Sequence, residues 1–245
     1  MDDVEIYFDG TVPKGTIIIE GFQGVGLVGT LAAQYIADKM KAKVVGYVTS
    51  HLLPPMALLI NGEIRPPIRI YKFKKGANTF LIFESELPIP QKLITKIAKK
   101  IAEFAKKNKV KEIISLEGLA VPKTPIPENT YFISNSEKKF NNLKKHSKLL
   151  ANGIVIGVSA ALLLEAKMQK IPAACIMAEA HADYPDGLAA SSIIKLLSKV
   201  YGLKIDTAPL EKESKKFEQK VLSIIEKAQQ IKESVESPRK TYIGW

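Results

Sequence analysis

TIIIEGFQGVGLVGTLAAQYIADKM, residues 16–40, reads as a strand, a glycine turn and a helix in one run. Ile17, Ile18 and Ile19 form a β-branched triplet that suits a strand buried on both faces. Gly21, Gly24, Gly26 and Gly29 follow, and then Leu27, Leu31, Tyr35 and the Ala32–Ala33 pair recur at helical spacing. The small residues let that helix lie close to a sheet, so this is the opening unit of an α/β domain. Gly24-x-Gly26-x-x-Gly29 also has the spacing of a dinucleotide fingerprint. Such a site needs an acidic residue at the end of the second strand, about 20 residues on. The second strand here, VVGYVTS at 44–50, ends without one, and no Gly-Lys-Ser or Gly-Lys-Thr follows the glycines. The glycines are therefore read as structural, serving a tight turn and close helix packing. Gly24 and Gly26 are kept as candidates for binding an anion. No cofactor is expected.

Outward from that unit, Val4, Ile6 and Phe8 alternate as an edge strand, and 43–49 is a second strand. Strands near 57–60 and 68–73 are joined through Asn61-Gly62, a hairpin signal, with Pro66-Pro67 confining the second arm to an edge. A strand at 79–83 precedes a long helix over 91–108 with a buried stripe of Leu93, Ile94, Ile97, Ile101 and Phe104. The pattern then predicts a strand at 113–116, a proline-rich loop, a strand at 131–133 and a basic helix over 136–150. A strand at 154–157, a buried helix over 158–169, a core strand at 173–178 and a helix over 188–201 complete the domain. Strands alternating with helices imply a mixed, mostly parallel sheet covered on both faces, a three-layer α/β sandwich.

The chain has 245 residues, 46% of them apolar, enough for a substantial core. Met1-Asp2-Asp3 is acidic with no apolar stretch after it, so no signal peptide is expected, and the longest uncharged run, 149–164, is short of a membrane span and holds Gly153 and Gly157. Cys175 is alone, which excludes disulfides and cysteine metal sites and fits a reducing cytoplasm. The net charge is +11, but 33 of the 36 basic residues are Lys, and of the 14 between 91 and 148 most fall on the outer faces of two helices. Base readout favours Arg, so nucleic-acid binding is not the reading.

Glu179, His181, Asp183 and Asp186 sit on a loop after a core strand, where open α/β sheets place ligands. They are the candidates for acid–base or metal chemistry, although Asp186 is equally an N-cap for the next helix. His51 and His146 read as surface residues. There is no Gly-x-Ser-x-Gly elbow; Gly157-x-Ser159 lacks the second glycine. No complete catalytic motif is present, and no catalytic or metal-binding residue is assigned.

The chain divides into an α/β core, 1–206, and a tail, 207–245. Phe217, Val221, Ile224, Ala228 and Ile231 fall at spacings of 4, 3, 4 and 3 with Val235 following, a heptad stripe suited to an oligomer interface. After Ser237-Pro238 the terminal peptide carries Tyr242, Ile243 and Trp245, the lone Trp, and is expected to bind a partner.

Several of these stretches, taken together, resemble the archaeal branch of the proteasome assembly chaperone family. They are Gly21-Phe22-x-Gly24-x-Gly26-Leu27-Val28-Gly29 with Ala32-Ala33, Glu84-Ser85-Glu86-Leu87-Pro88, Glu117-Gly118, and Tyr184-Pro185-Asp186-Gly187-Leu188-Ala189-Ala190. The resemblance covers about residues 4–205. It implies a phosphorylase/hydrolase-like three-layer fold, a homo-oligomer and no catalysis. It also implies partners among proteasome core α subunits or a paralogous chaperone subunit. Activator-type members end in hydrophobic–Tyr–any residue; here Tyr242 is fourth from the end. The competing expectation is a small-ligand binder or hydrolase-type enzyme using the 21–29 and 179–187 loops.

Overall fold

The computed structural model describes residues 3–60, 62–121, 125–182, 184–212, 223 and 227. In chain order the first half runs β1 (Glu5–Phe8), β2 (Ile17–Gly21), α1 (Val28–Lys39), β3 (Lys43–Thr49), β4 (Leu58–Ile60), β5 (Glu63–Arg65), β6 (Ile68–Lys75) and β7 (Asn78–Ser85). The second half runs α2 (Gln91–Lys107), β8 (Glu112–Ala120), β9 (Thr130–Ser134), α3 (Asn141–Lys144), β10 (Lys148–Leu149), α4 (Gly157–Met168), β11 (Ala173–Ala180) and α5 (Gly187–Tyr201).

Nine strands form one mixed sheet in the order β1-β3-β6-β7-β2-β8-β11-β9-β10. Its centre, β7-β2-β8-β11, is parallel, and antiparallel neighbours extend it on both sides. The isoleucine triplet explains the layering. Successive side chains of a strand point to opposite faces, so Ile17 and Ile19 enter one core with α1 and α5, while Ile18 enters the other with α2 and α4. Phe80 and Ile82 of β7 and Ile114 and Leu116 of β8 join the first core; Leu81, Phe83 and Ile113 join the second. The result is a three-layer α/β/α sandwich with β2 near its middle.

Four expectations need correction. The Asn-Gly hairpin closes on β5, not on the strand at 68: β4 and β5 form their own two-stranded sheet, and Pro66-Pro67 separates it from β6. The basic helix over 136–150 breaks into a 3-10 turn, Glu137–Phe140, then α3 and β10. Only Phe140 and Leu143 anchor that stretch in the core, and Leu150 donates its backbone N–H to Phe132 O, pulling the chain to the sheet edge. The strand at 154–157 does not form; the chain enters α4 from an irregular segment with Ile154 and Ile156 exposed. Finally, α4 is not buried all round, since Leu164 and Met168 face outward.

On both sides of the expected 206/207 division the chain packs on α1 and α5. Tyr35 donates its hydroxyl to Asp206 O at 2.9 Å, Leu210 is buried in the first core, and Glu211 accepts from Ser191 Oγ at 2.7 Å. The stripe residues Phe217, Val221, Ile224, Ala228 and Ile231 and the terminal Tyr242, Ile243 and Trp245 lie outside the described residues. Ser223 and Lys227, which are off the stripe, are helical and exposed. Among the described residues no helix is long and apolar enough to cross a membrane.

Candidate functional site

Each of the four parallel strands carries a glutamate toward its carboxyl end: Glu20 on β2, Glu84 on β7, Glu117 on β8 and Glu179 on β11. Glu20, Glu84 and Glu179 are almost fully buried, and Glu86, two residues past Glu84, joins them. This is the edge at which open α/β sheets hold ligands. Here the carboxylates are engaged almost entirely by the protein itself.

Glu20 accepts from Phe22 N at 2.9 Å, and Glu117 Oε1 accepts from Val25 N and Gly118 N, both at 3.0 Å. Between them stands Ser159, in the first turn of α4, with Oγ 3.1 Å from Glu20 Oε2 and 3.3 Å from Glu117 Oε2. A hydroxyl has one proton to give, so satisfying both contacts at once requires a proton on a carboxyl. Burial pushes the Glu117 carboxyl up to about 8, with the nearby Glu20 adding to the rise, and burial likewise raises Glu20. Burial thus favours the protonated form, and the pair is an internal clamp that fixes the glycine loop over β2 and β8.

The glycines are read directly from this geometry. A Cβ at Gly24 would fall 1.8 Å from Glu117 Oε1, and one at Gly29 would fall 2.4 Å from Leu116 O. The absent side chains make room for an internal carboxylate and for the close approach of α1 to β8. The space beside Gly24, where an external anion would lie, thus holds a carboxylate of the chain. Gly26 O accepts Asp186 N at 2.8 Å, which ties the glycine loop to the 179–187 loop.

That second loop brings His181 to Asp186 but sends Glu179 elsewhere. Glu179 accepts from Ile126 N (2.9 Å), Asn129 Nδ2 (3.1 Å) and Tyr131 OH (2.9 Å), fastening the loop after β8. His181 instead places Nδ1 2.8 Å from Asp186 Oδ2 and stacks on Tyr184. Asp186 is the N-cap of α5, accepting from Ala189 N at 3.0 Å. Asp183 lies outside the described residues. No group of three or more His, Cys, Asp or Glu suited to a metal ion occurs among the described residues. His51 and His146 are exposed, the former 3.6 Å from Asp3, and Cys175 is buried.

A second buried network lies at the end of β7. Arg69 donates to Glu84 Oε2 at 3.2 Å, to Glu86 Oε1, and through Nε to Tyr71 OH at 2.7 Å; Gln34 Nε2 donates to Glu84 Oε1 at 2.9 Å. Burial pushes Glu84 up to about 7 against the pull of Arg69. Burial also opposes the charge on Arg69, but Glu84, Tyr71 and Glu86 outweigh it. Of the carboxylate oxygens in this network, Glu86 Oε2 alone has no hydrogen-bond partner.

Sequence reasoning missed Glu20, Ser159 and the Arg69 network as features of this edge. One local signal was available: Glu20 directly follows three isoleucines in a strand buried on both faces, where a charge is costly.

The family model for the PAC2 family matches residues 18–225. The chain belongs to the PAC2 family. Among solved structures, Pyrococcus furiosus PbaA, an archaeal homolog of proteasome-assembly chaperone, is 31% identical with a TM-score of 0.82, covering 95% of this chain and 99% of PbaA. Pyrococcus furiosus PbaB, an archaeal proteasome activator, is 21% identical over 91% of this chain and 99% of its own, with a TM-score of 0.77, a likeness of fold. An uncharacterised protein of Methanocaldococcus jannaschii is 28% identical over 213 residues, 87% of each chain. The mixed three-layer sandwich is thus the PAC2 architecture, and its paired buried carboxylates sit at the strand ends of that architecture.

Proposed function

We propose that this PAC2 protein is a non-enzymatic homo-oligomer that acts in proteasome assembly through protein–protein contacts. The observation that carries the reading is the match to PbaA along nearly the whole of both chains. The strand-end chemistry supports it: Glu20, Glu117, Glu179 and Asp186 are spent on backbone amides and neighbouring side chains, which holds loops rather than a substrate. In this reading Phe217, Val221, Ile224, Ala228 and Ile231 join subunits, and Tyr242, Ile243 and Trp245 engage the partner, proteasome core α subunits or a paralogous subunit.

The test is light-scattering mass of the full-length protein, alone and with purified archaeal proteasome α subunits. Expected is a closed oligomer that loses mass when Val221 and Ile224 are both replaced by Ser. Co-elution with α subunits is expected to disappear in a Tyr242→Ala, Trp245→Ala double variant. A monomer in which neither pair of substitutions changes anything would overturn the proposal.

A further inference from the structure

The outer surface of α4 and its approach is apolar. Ile154 is 90% exposed, Ile156 73%, Leu164 62% and Met168 67%. Ile156 caps the helix, and Ala160, Leu164 and Met168 follow at four-residue steps, which places them on one helical face. From Ile156 to Met168 this strip is about 18 Å long, roughly three turns of contact for an opposing helix. Aliphatic side chains gathered this way on a surface mark an interaction site.

The neighbouring helix supplies the charge. α2 packs against α4 on the same sheet face. It exposes Lys92, Lys99, Lys106 and Lys107, with Lys96 already paired to Asp3, against one exposed acid, Glu103. Lys167 and Lys170 are exposed at the end of α4 itself. An aliphatic strip with ammonium groups on the adjacent helix and at its own helix end is complementary to an aliphatic stripe flanked by carboxylates. The geometry points to a docking surface on α4 for an acidic amphipathic helix of a protein partner. Its stripe would cover Ile156, Leu164 and Met168, and its flanking Glu or Asp residues would face the lysines of α2. A second copy of this chain would bring the same lysines, setting like charge against like. A bilayer-surface helix typically anchors with Trp or Phe, and the strip carries neither. None of the residues of this strip belongs to the tail contacts proposed above, so substitutions in one set test one proposal alone.

The test uses the full-length protein and a fluorescein-labelled synthetic helix of about 18 residues, Leu on one face and Glu on its flanks, read by anisotropy. Saturable binding is expected, weakened about tenfold by a Leu164→Gln, Met168→Gln double variant and weakened further by added salt. The variant's thermal midpoint should match the parent's, since both side chains already face water. Four results would overturn the inference. They are no binding, equal binding of a peptide with Lys in place of Glu, unchanged affinity in the variant, and wild-type self-association in sedimentation velocity that the double variant abolishes. Co-sedimentation with phosphatidylserine-containing vesicles, lost in the variant, would assign the strip to a membrane surface and overturn it equally.

Discussion

The strand-end rim and the outer face of α4 reverse the ordinary distribution of side chains. At the rim, four glutamates and an arginine are buried, with Glu117 partly so; on α4, isoleucine, leucine and methionine are turned out of the protein. Charge is buried only where partners meet it. The rim meets that condition with backbone amides, Ser159, Tyr131 and Arg69, so its polarity is consumed in fixing loops. The α4 strip has no such internal use. The contrast teaches that the polar machinery of this domain is architectural and its apolar surface is where it meets other molecules.

Substitutions can break that comparison in order of expected size. Arg69→Met should cost most, about 3–5 kcal/mol, because it leaves Glu84 and Glu86 buried without their cation. The loss should shrink at acid pH, where Glu84, raised to about 7 by burial, takes a proton, and urea denaturation at two pH values measures it. Gly29→Ala should cost roughly 3 kcal/mol, since the new methyl would press on two backbone oxygens, Leu116 O and Phe22 O, that cannot swing aside. An unchanged urea midpoint would show that α1 slides on the sheet.

The carboxyl clamp gives a pH signature whose sign follows from the raised pKa. In the unfolded chain Glu117 loses its proton near the ordinary glutamate value; in the folded chain it holds it to about 8. Between about pH 5 and 8 the native state binds the extra proton, so stability falls as pH rises and levels off above. Glu117→Gln should flatten that fall, on the order of a few kcal/mol. Parallel curves for the two proteins would mean the carboxyl is already ionised. The smallest effect belongs to the other region: Ile154→Ser should leave stability within about 0.5 kcal/mol, and a larger loss would mean the strip is covered.

The sandwich was legible because its signals are local. Ile17–Ile19 followed by glycines and an alanine-rich helix can be read in one window, and the structure returns it as β2 and α1. The stretch at 136–156 was misread for the same reason in reverse. Its helical spacing and its Ile154-Val155-Ile156 run look regular locally, yet Phe140 and Leu143 alone reach the core and no strand pairs with 154–156. The clamp was invisible because its members are distant in the chain: Ser159 is 139 residues from Glu20 and 42 from Glu117. Their meeting depends on strand order, which periodicity does not encode. Glu179 and His181 were chosen for proximity in sequence, but β11 ends at Ala180, so His181 leaves the strand and turns to Asp186 while Glu179 holds Tyr131.

The bond between Asp186 N and Gly26 O has a consequence for how this domain opens. It joins a loop already held by Glu20 and Glu117 to the cap of α5, so the amides of Phe22, Val25, Gly118, His181 and Asp186 all depend on one set of contacts. They should behave as a single exchanging unit, losing deuterium protection together at one opening free energy rather than fraying in turn. The strand-end edge of the sheet is in that sense a latch with one spring.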